Sequence, residues 1–167
     1  MRALVRMFSI LAVAVAALAL ATGPASAAGG GNPHFNRTSA SASGTDLTVS
    51  FKEVGLGAGT TVTIVVNARW DAQFACYNNG GKHPSATNKE TFSGEASASG
   101  QFTSDKNGNI VDSLTVSAPT VSSNGFSCPP GQTEVLTYIQ WSDISVTDST
   151  SPASIDVAGT FTFGSLV

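Results

Sequence analysis

Apolar and polar residues alternate with a period of two through most of the chain beyond residue 45. Leu47, Val49 and Phe51 are separated by Thr48, Ser50 and Lys52. A longer run follows, in which Val62, Ile64, Val66, Ala68, Trp70, Ala72, Phe74 and Cys76 share one parity. Thr63, Asn67, Arg69, Asp71 and Gln73 hold the other. Alternation of this kind predicts strands with one face in the core. This run far exceeds the usual strand of about 5–6 residues, so a bend near Asn67–Asp71, with a crossing from one sheet to another, is expected.

Further strands are predicted over Phe92–Phe102, Ile110–Val116, from Thr133 onward, and through Ile155, Val157, Phe161 and Phe163. Asp105-Lys106-Asn107-Gly108-Asn109 carries the Asn-Gly signal of a hairpin turn. Ile139 and Trp141 share one parity while Ile144 and Val146 share the other. One face cannot hold both sets without an extra residue, which predicts a bulge near Ser142-Asp143. Two stretches break the alternation: Tyr77–Glu90, with Asn78-Asn79-Gly80-Gly81 and His83-Pro84, and Ala118–Gln132, with Asn124-Gly125 and Pro129-Pro130-Gly131. Both read as long loops. No helix and no repeat is evident. About seven short strands joined by Gly, Asn and Pro turns predict an all-β, immunoglobulin-like sandwich of two antiparallel sheets, with a small closed barrel as the alternative. The likeness to immunoglobulins is one of architecture, because Trp70 precedes both cysteines instead of lying between them.

The N-terminus sets the compartment. Arg2 and Arg6 precede an apolar run from Met7 to Ala21, then Gly23-Pro24 and the small triplet Ala25-Ser26-Ala27. That order predicts a signal peptide over residues 1–27. The run is shorter than the roughly 20 residues of a membrane span, and no Cys follows it to carry a lipid. Residues 28–34 read as a flexible arm, and 35–167 as a single domain. The Ala-rich leader suggests a bacterial source. Without the leader the chain has six basic and eleven acidic residues, a net charge of −5. That balance argues against nucleic acid or anionic lipid as a partner.

Cys76 and Cys128 are the two cysteines. In an exported protein such a pair predicts a disulfide, which removes both from thiol chemistry. Two histidines, one of them His34 in the arm, give poor support for zinc, and neither a metal nor another cofactor is expected. His83 is the best candidate general base, yet nothing fixes a nucleophile or an orienting acid beside it. Glu90 and Glu95 form the nearest carboxylate pair for glycoside hydrolysis. Asp105, Asp143 and Asp148 lie near loops but lack calcium-loop spacing, so turn capping is their expected role. Asn36-Arg37-Thr38 is a glycosylation sequon that matters only in a eukaryotic host. Trp70, Tyr77, Phe126, Tyr138 and Trp141 are the aromatics able to form a stacking platform. Trp70 and Trp141 fall within alternating strands and are expected in the core.

Cys76-x-Asn78-x-Gly80-Gly81-x-x-Pro84, Lys89-Glu90-x-x-Ser93-Gly94, Gly108-x-Ile110 and Cys128-Pro129-Pro130-Gly131-Gln132 together resemble uncharacterised small secreted all-β proteins of bacteria and fungi. That resemblance implies secretion and no particular chemistry. Gly55-Leu56-Gly57-Ala58-Gly59-Thr60, and Asn107-Gly108 followed by Ser113-Leu114-Thr115-Val116, are similar to turns and a strand of the neocarzinostatin-like apoproteins. Those are secreted sandwiches that carry a small molecule and have two disulfides where this chain can form one. The sequence thus predicts a secreted, non-catalytic binding or interaction protein, with a small secreted hydrolase or enzyme inhibitor as the alternative. A bridge would gather both long loops at one pole. Tyr77, Asn78, Asn79, His83, Asn88, Asn124 and Phe126 are the candidate binding residues there, facing an extracellular protein, glycan or small molecule.

Overall fold

The computed structural model describes residues 31–78, 88–120 and 125–166. The expected leader, and the expected arm up to residue 30, lie outside them. Eight strands form: β1 (His34–Ser43), β2 (Asp46–Val54), β3 (Thr61–Asn78), β4 (Lys89–Thr103), β5 (Ile110–Val116), β6 (Gln132–Asp148), β7 (Ser154–Val157) and β8 (Phe161–Gly164). They build two antiparallel sheets, β1-β2-β5 and β4-β3-β6, with β7 and β8 both paired to β6. The sheets face each other as a sandwich and do not close into a barrel. The predicted parities fill the space between them. Leu47, Val49 and Phe51 come from one side, and Val62, Ile64, Val66 and Trp70 from the other; all are buried.

The bulge is where the parity switch places it. Ala68 of β3 stands between Asn67, paired with Ser145, and Arg69, paired with Ser142. It therefore opposes two residues of β6, Asp143 and Ile144, and Asp143 takes a φ of 48°. The extra residue turns Ile144 and Val146 back into the core beside Trp141.

Other expectations need correction. β3 does not bend across to a second sheet: all 18 residues stay in one sheet, paired on both sides for most of their length. Asp105–Asn109 forms its turn, but not a hairpin. Asp105 Oδ1 accepts from the backbone N–H groups of Asn107 and Asn109 (2.8 and 2.9 Å), and these bonds hold its carboxyl below the usual range. Leu56 N–H donates to Gly108 O at 3.1 Å. The turn is thus tied to itself and to the β2–β3 connection, and β5 crosses to pair with β2. The single last strand is two, interrupted beside the Asp143 bulge, because β6 offers no regular ladder there. Before both of these lies β1, a strand whose Ser/Ala pattern gives little alternation to read.

The sheets differ in length, and this shapes the molecule. Strands β3, β4 and β6 run 15–18 residues, while β1, β2 and β5 run 7–10. Trp141 Nε1–H donates to Thr45 O (3.1 Å) at the β1–β2 turn, and Ala118 N–H donates to Asp46 Oδ1 (2.8 Å). These bonds mark where the short sheet stops, about midway along β6. The long sheet continues beyond it, and its inner face there is covered by the β5–β6 connection.

Gly94 of β4 pairs with Trp70. A Cβ at Gly94 would stand 2.6 Å from Trp70 Cζ2. The indole is 6% exposed and cannot swing into water without leaving the core. Gly94→Ala is therefore expected to cost about 1–3 kcal/mol in chemical denaturation, an overpacking penalty. Unchanged stability would show that the indole slides at no cost.

Candidate functional site

The pole where the long sheet overhangs is closed by the expected bridge. Cys76, near the end of β3, is joined to Cys128 in the β5–β6 connection, with Cα atoms 5.6 Å apart, within the range that a disulfide spans. Cys128 N–H donates to Glu134 Oε1 (3.0 Å), and Gln132 N–H donates to Pro129 O (3.2 Å). These bonds fold the last residues of the connection onto the start of β6. Underneath, Phe126 packs against Phe74 and Phe92, with ring centroids 6.2 Å away in both cases, and Phe74 lies 5.9 Å from Phe92.

This sorts the candidate binding residues. Tyr77 and Asn78 end β3, the first half-buried and the second exposed. Asn88, half-buried at the foot of β4, donates from Nδ2 to Gln132 Oε1 at 3.4 Å and so reaches across to β6. Phe126 belongs to this pole, but its ring serves the core as a wedge under the connection. Asn79, His83 and Asn124 lie outside the described residues. Of the other aromatics, Trp70 and Trp141 are buried, as their parity predicts. Tyr138 is half-buried, with its hydroxyl donating to Gln140 Oε1 at 2.9 Å. No stacking platform is formed by the two tryptophans. Glu90 and Glu95 are five residues apart on one extended strand. Their side chains leave opposite faces, with Cα atoms roughly 16 Å apart by strand rise, which does not suit a paired-carboxylate mechanism.

The opposite pole holds three polar groups: Asp148, expected as a turn cap and found capping Thr150, and Glu53 and Thr60, which the motif reading missed. Glu53 ends the inward run Leu47, Val49, Phe51. Asp148 ends the inward run Ile144, Val146. Thr60 precedes the inward run Val62, Ile64, Val66. Glu53 and Asp148 are fully buried (both 0% exposed). Asp148 Oδ1 accepts from Thr150 N–H and Oγ1–H (2.8 and 2.6 Å). Thr60 Oγ1 is buried with no hydrogen-bond partner, while Asp148 Oδ2 and the two carboxyl oxygens of Glu53 are buried with no partner except one another, the Glu53 carboxyl bonding to that of Asp148. Burial, followed by the neighbouring Asp148 carboxylate, pushes the Glu53 carboxyl up to about 7. The signal was present as parity: each of these residues sits where the next inward side chain should be apolar.

No protein-family model, no curated protein and no solved structure matches this chain.

Proposed function

We propose that this is a secreted, non-catalytic binding or interaction protein whose working surface is the disulfide-tied pole. The observation that carries this reading is the Cys76–Cys128 bridge, which fastens the β5–β6 connection to the end of β3. The two connections at this pole, 79–88 and 117–131, exceed the usual 4–6 or so residues, and long connections on a rigid scaffold are where binding concentrates. Holding one of them to the sheet lowers the entropy lost when a partner is met. Tyr77, Asn78 and Asn88 supply an aromatic face and amide groups of the kind that read protein or glycan surfaces, with Asn79, His83 and Asn124 as sequence neighbours. The signal-peptide pattern and the disulfide together favour work outside the cell. Among the described residues, no helix is long and apolar enough to cross a membrane. A two-sheet sandwich with loops at a pole, which we read as immunoglobulin-like, suits the same role.

The test uses the purified protein against a panel of secreted proteins and polysaccharides. Binding to any member is then compared in the double variant Tyr77→Ala/His83→Ala, with Phe126 left intact to protect the core. The double variant is expected to bind at least tenfold more weakly, the loss typical of a central interface residue, with its melting temperature unchanged. Equal affinity in the folded variant would remove this pole and direct attention to the outer sheet faces.

A further inference from the structure

β4 is the outer strand of the long sheet: among the described residues it pairs with β3 and with no other strand. The backbone N–H and C=O groups along its free side are a template for a further strand, and proteins blunt such edges with short strands, bulges or proline. The other edges here are blunted. β1 carries a bulge between Phe35 and Arg37, β5 has seven residues, and β7 and β8 have four each. β4 has 15 residues in unbroken register with β3, and no proline. Its sequence carries a second, independent feature. From Thr91 to Thr103 it reads Thr-Phe-Ser-Gly-Glu-Ala-Ser-Ala-Ser-Gly-Gln-Phe-Thr, which is nearly the same in both directions about Ser97. Within one copy, the Trp70 indole accounts for Gly94 and the Phe102 ring for Gly100. Neither accounts for the reversal about Ser97.

We propose that β4 pairs with β4 of a second copy, antiparallel about a two-fold axis through Ser97, joining two sandwiches into a dimer with one continuous long sheet. A two-fold contact needs a patch that complements itself, and a palindromic strand is one. In this register Phe92 stands opposite the partner's Phe102, Gly94 opposite the partner's Gly100, Ala96 opposite the partner's Ala98 and Thr91 opposite the partner's Thr103. Core-side residues thus meet core-side residues, as strand parity requires. Phe92 and Phe102 are only partly buried in their own sandwich, and a cross-strand aromatic pair at each end of the ribbon would cover them. The exposed Glu95 stands opposite the partner's Ser99, roughly 13 Å along the ribbon from the partner's Glu95, so like charges do not face each other. An extended segment of another protein would use the same backbone groups, but it would not call for a palindrome.

The experiment is sedimentation equilibrium of the purified, disulfide-bonded protein up to roughly 100 μM, which detects dimers of micromolar affinity. The expected mass is twice that of one chain at the upper concentrations. Ser97 is exposed, so Ser97→Lys spares the core and sets two like charges directly opposite on the axis. It is expected to weaken the dimer about fivefold or more. Ser41→Lys, equally exposed on the β1 edge, should leave the dimer unchanged. The register is read by crosslinking. Ser97→Cys faces its own copy across the axis and should give a covalent dimer on mild oxidation, whereas Ser93→Cys, opposite the partner's Gln101, should not. A single-chain mass throughout overturns the proposal and leaves the edge to an extended segment of another protein. A dimer equally weakened by Ser97→Lys and Ser41→Lys, or unmoved by Ser97→Lys, overturns it too, as does equal crosslinking of Ser93→Cys and Ser97→Cys.

Discussion

Removing the disulfide, by reduction or as Cys76→Ser/Cys128→Ser, is expected to lower stability by about 4 kcal/mol. The cysteines are 52 residues apart, and closing a loop of that size in the unfolded chain accounts for roughly this amount in the chain-entropy model. A domain whose whole stability is typically about 5–15 kcal/mol would then melt roughly 15 °C lower. The structure adds where the loss appears first. The β5–β6 connection covers the half of the long sheet that the short sheet does not reach, with Phe126 over Phe74 and Phe92. Without the bridge this cover loses its covalent tie to β3, while the Phe126 ring and the bonds to Glu134 and Asp46 remain among its holds. Amide exchange should therefore accelerate in β4 near Phe92 and in β6 near Leu136 before it does so around Ile64 or Val146. Phe126→Ala in the oxidised protein is expected to reproduce that local loosening at about half the cost in stability, since the ring is only partly buried. Melting within about 2 °C of the parent after the bridge is removed would show that the connection closes the pole without it.

Much of the fold was legible because the large sheet carries its pattern in bulky residues. The β3 parity places Val62 to Cys76 inward without exception, and the switch between Trp141 and Ile144 fixes the Asp143 bulge to within a residue. Patterns failed where side chains are small. β1 is largely Ser and Ala, so its faces differ little in hydropathy, and its place in the sheet is set by pairing with β2. The Asn-Gly signal at Asn107-Gly108 correctly gives a tight turn. Whether such a turn joins neighbours in one sheet or arches between two depends on bonds to Leu56, which no local pattern records.

The sites were legible unequally. The cysteine pair pointed to one pole, and the bridge is there. The sequence offers Phe126 as a candidate binding residue there, and its ring is largely taken up by the core, because the short sheet leaves Phe74 and Phe92 in need of cover. That need follows from a difference in strand length between the sheets, which the sequence hides by fusing β1 into its polar start. At the opposite pole the loop reading reaches Asp148 as a turn cap but not its burial, nor Glu53 and Thr60. Reading each inward parity one step further leads from Phe51 to Glu53, from Val146 to Asp148 and from Val62 back to Thr60. An acid that continues an apolar parity signals a buried charge as plainly as a motif does.

The Glu53–Asp148 pair makes stability depend on pH in a way opposite to ordinary acid denaturation. The Glu53 carboxyl, raised from 4.5 to about 7 in the folded protein, keeps its proton where the unfolded chain has lost it. The native state then binds more protons, so stability falls as pH rises. The contribution is intact below pH 4.5, declines between 4.5 and 7, and is gone above. The whole change amounts to about 3 kcal/mol. Among the described residues, Asp148 is the charged group that acts on Glu53. Lys52 leaves the opposite face of β2, and His34, across on β1, is exposed, with its Nδ1 bonded to Asn32 O at 2.8 Å. Asp105 works in a lower window: its depressed carboxyl stabilises the fold above its ordinary value of 3.8 and ceases to do so as pH falls further. Urea denaturation in chelator-containing buffers, where the proton is the only positive charge offered to the pair, should therefore give greatest stability near pH 4.5 and a descending limb to pH 7. Glu53→Gln carries an amide at every pH and is expected to lose that limb while keeping the decline at lower pH. A parent profile flat from 4.5 to 7, or a limb that survives in Glu53→Gln, would show that the buried carboxyls do not share a proton in the folded protein.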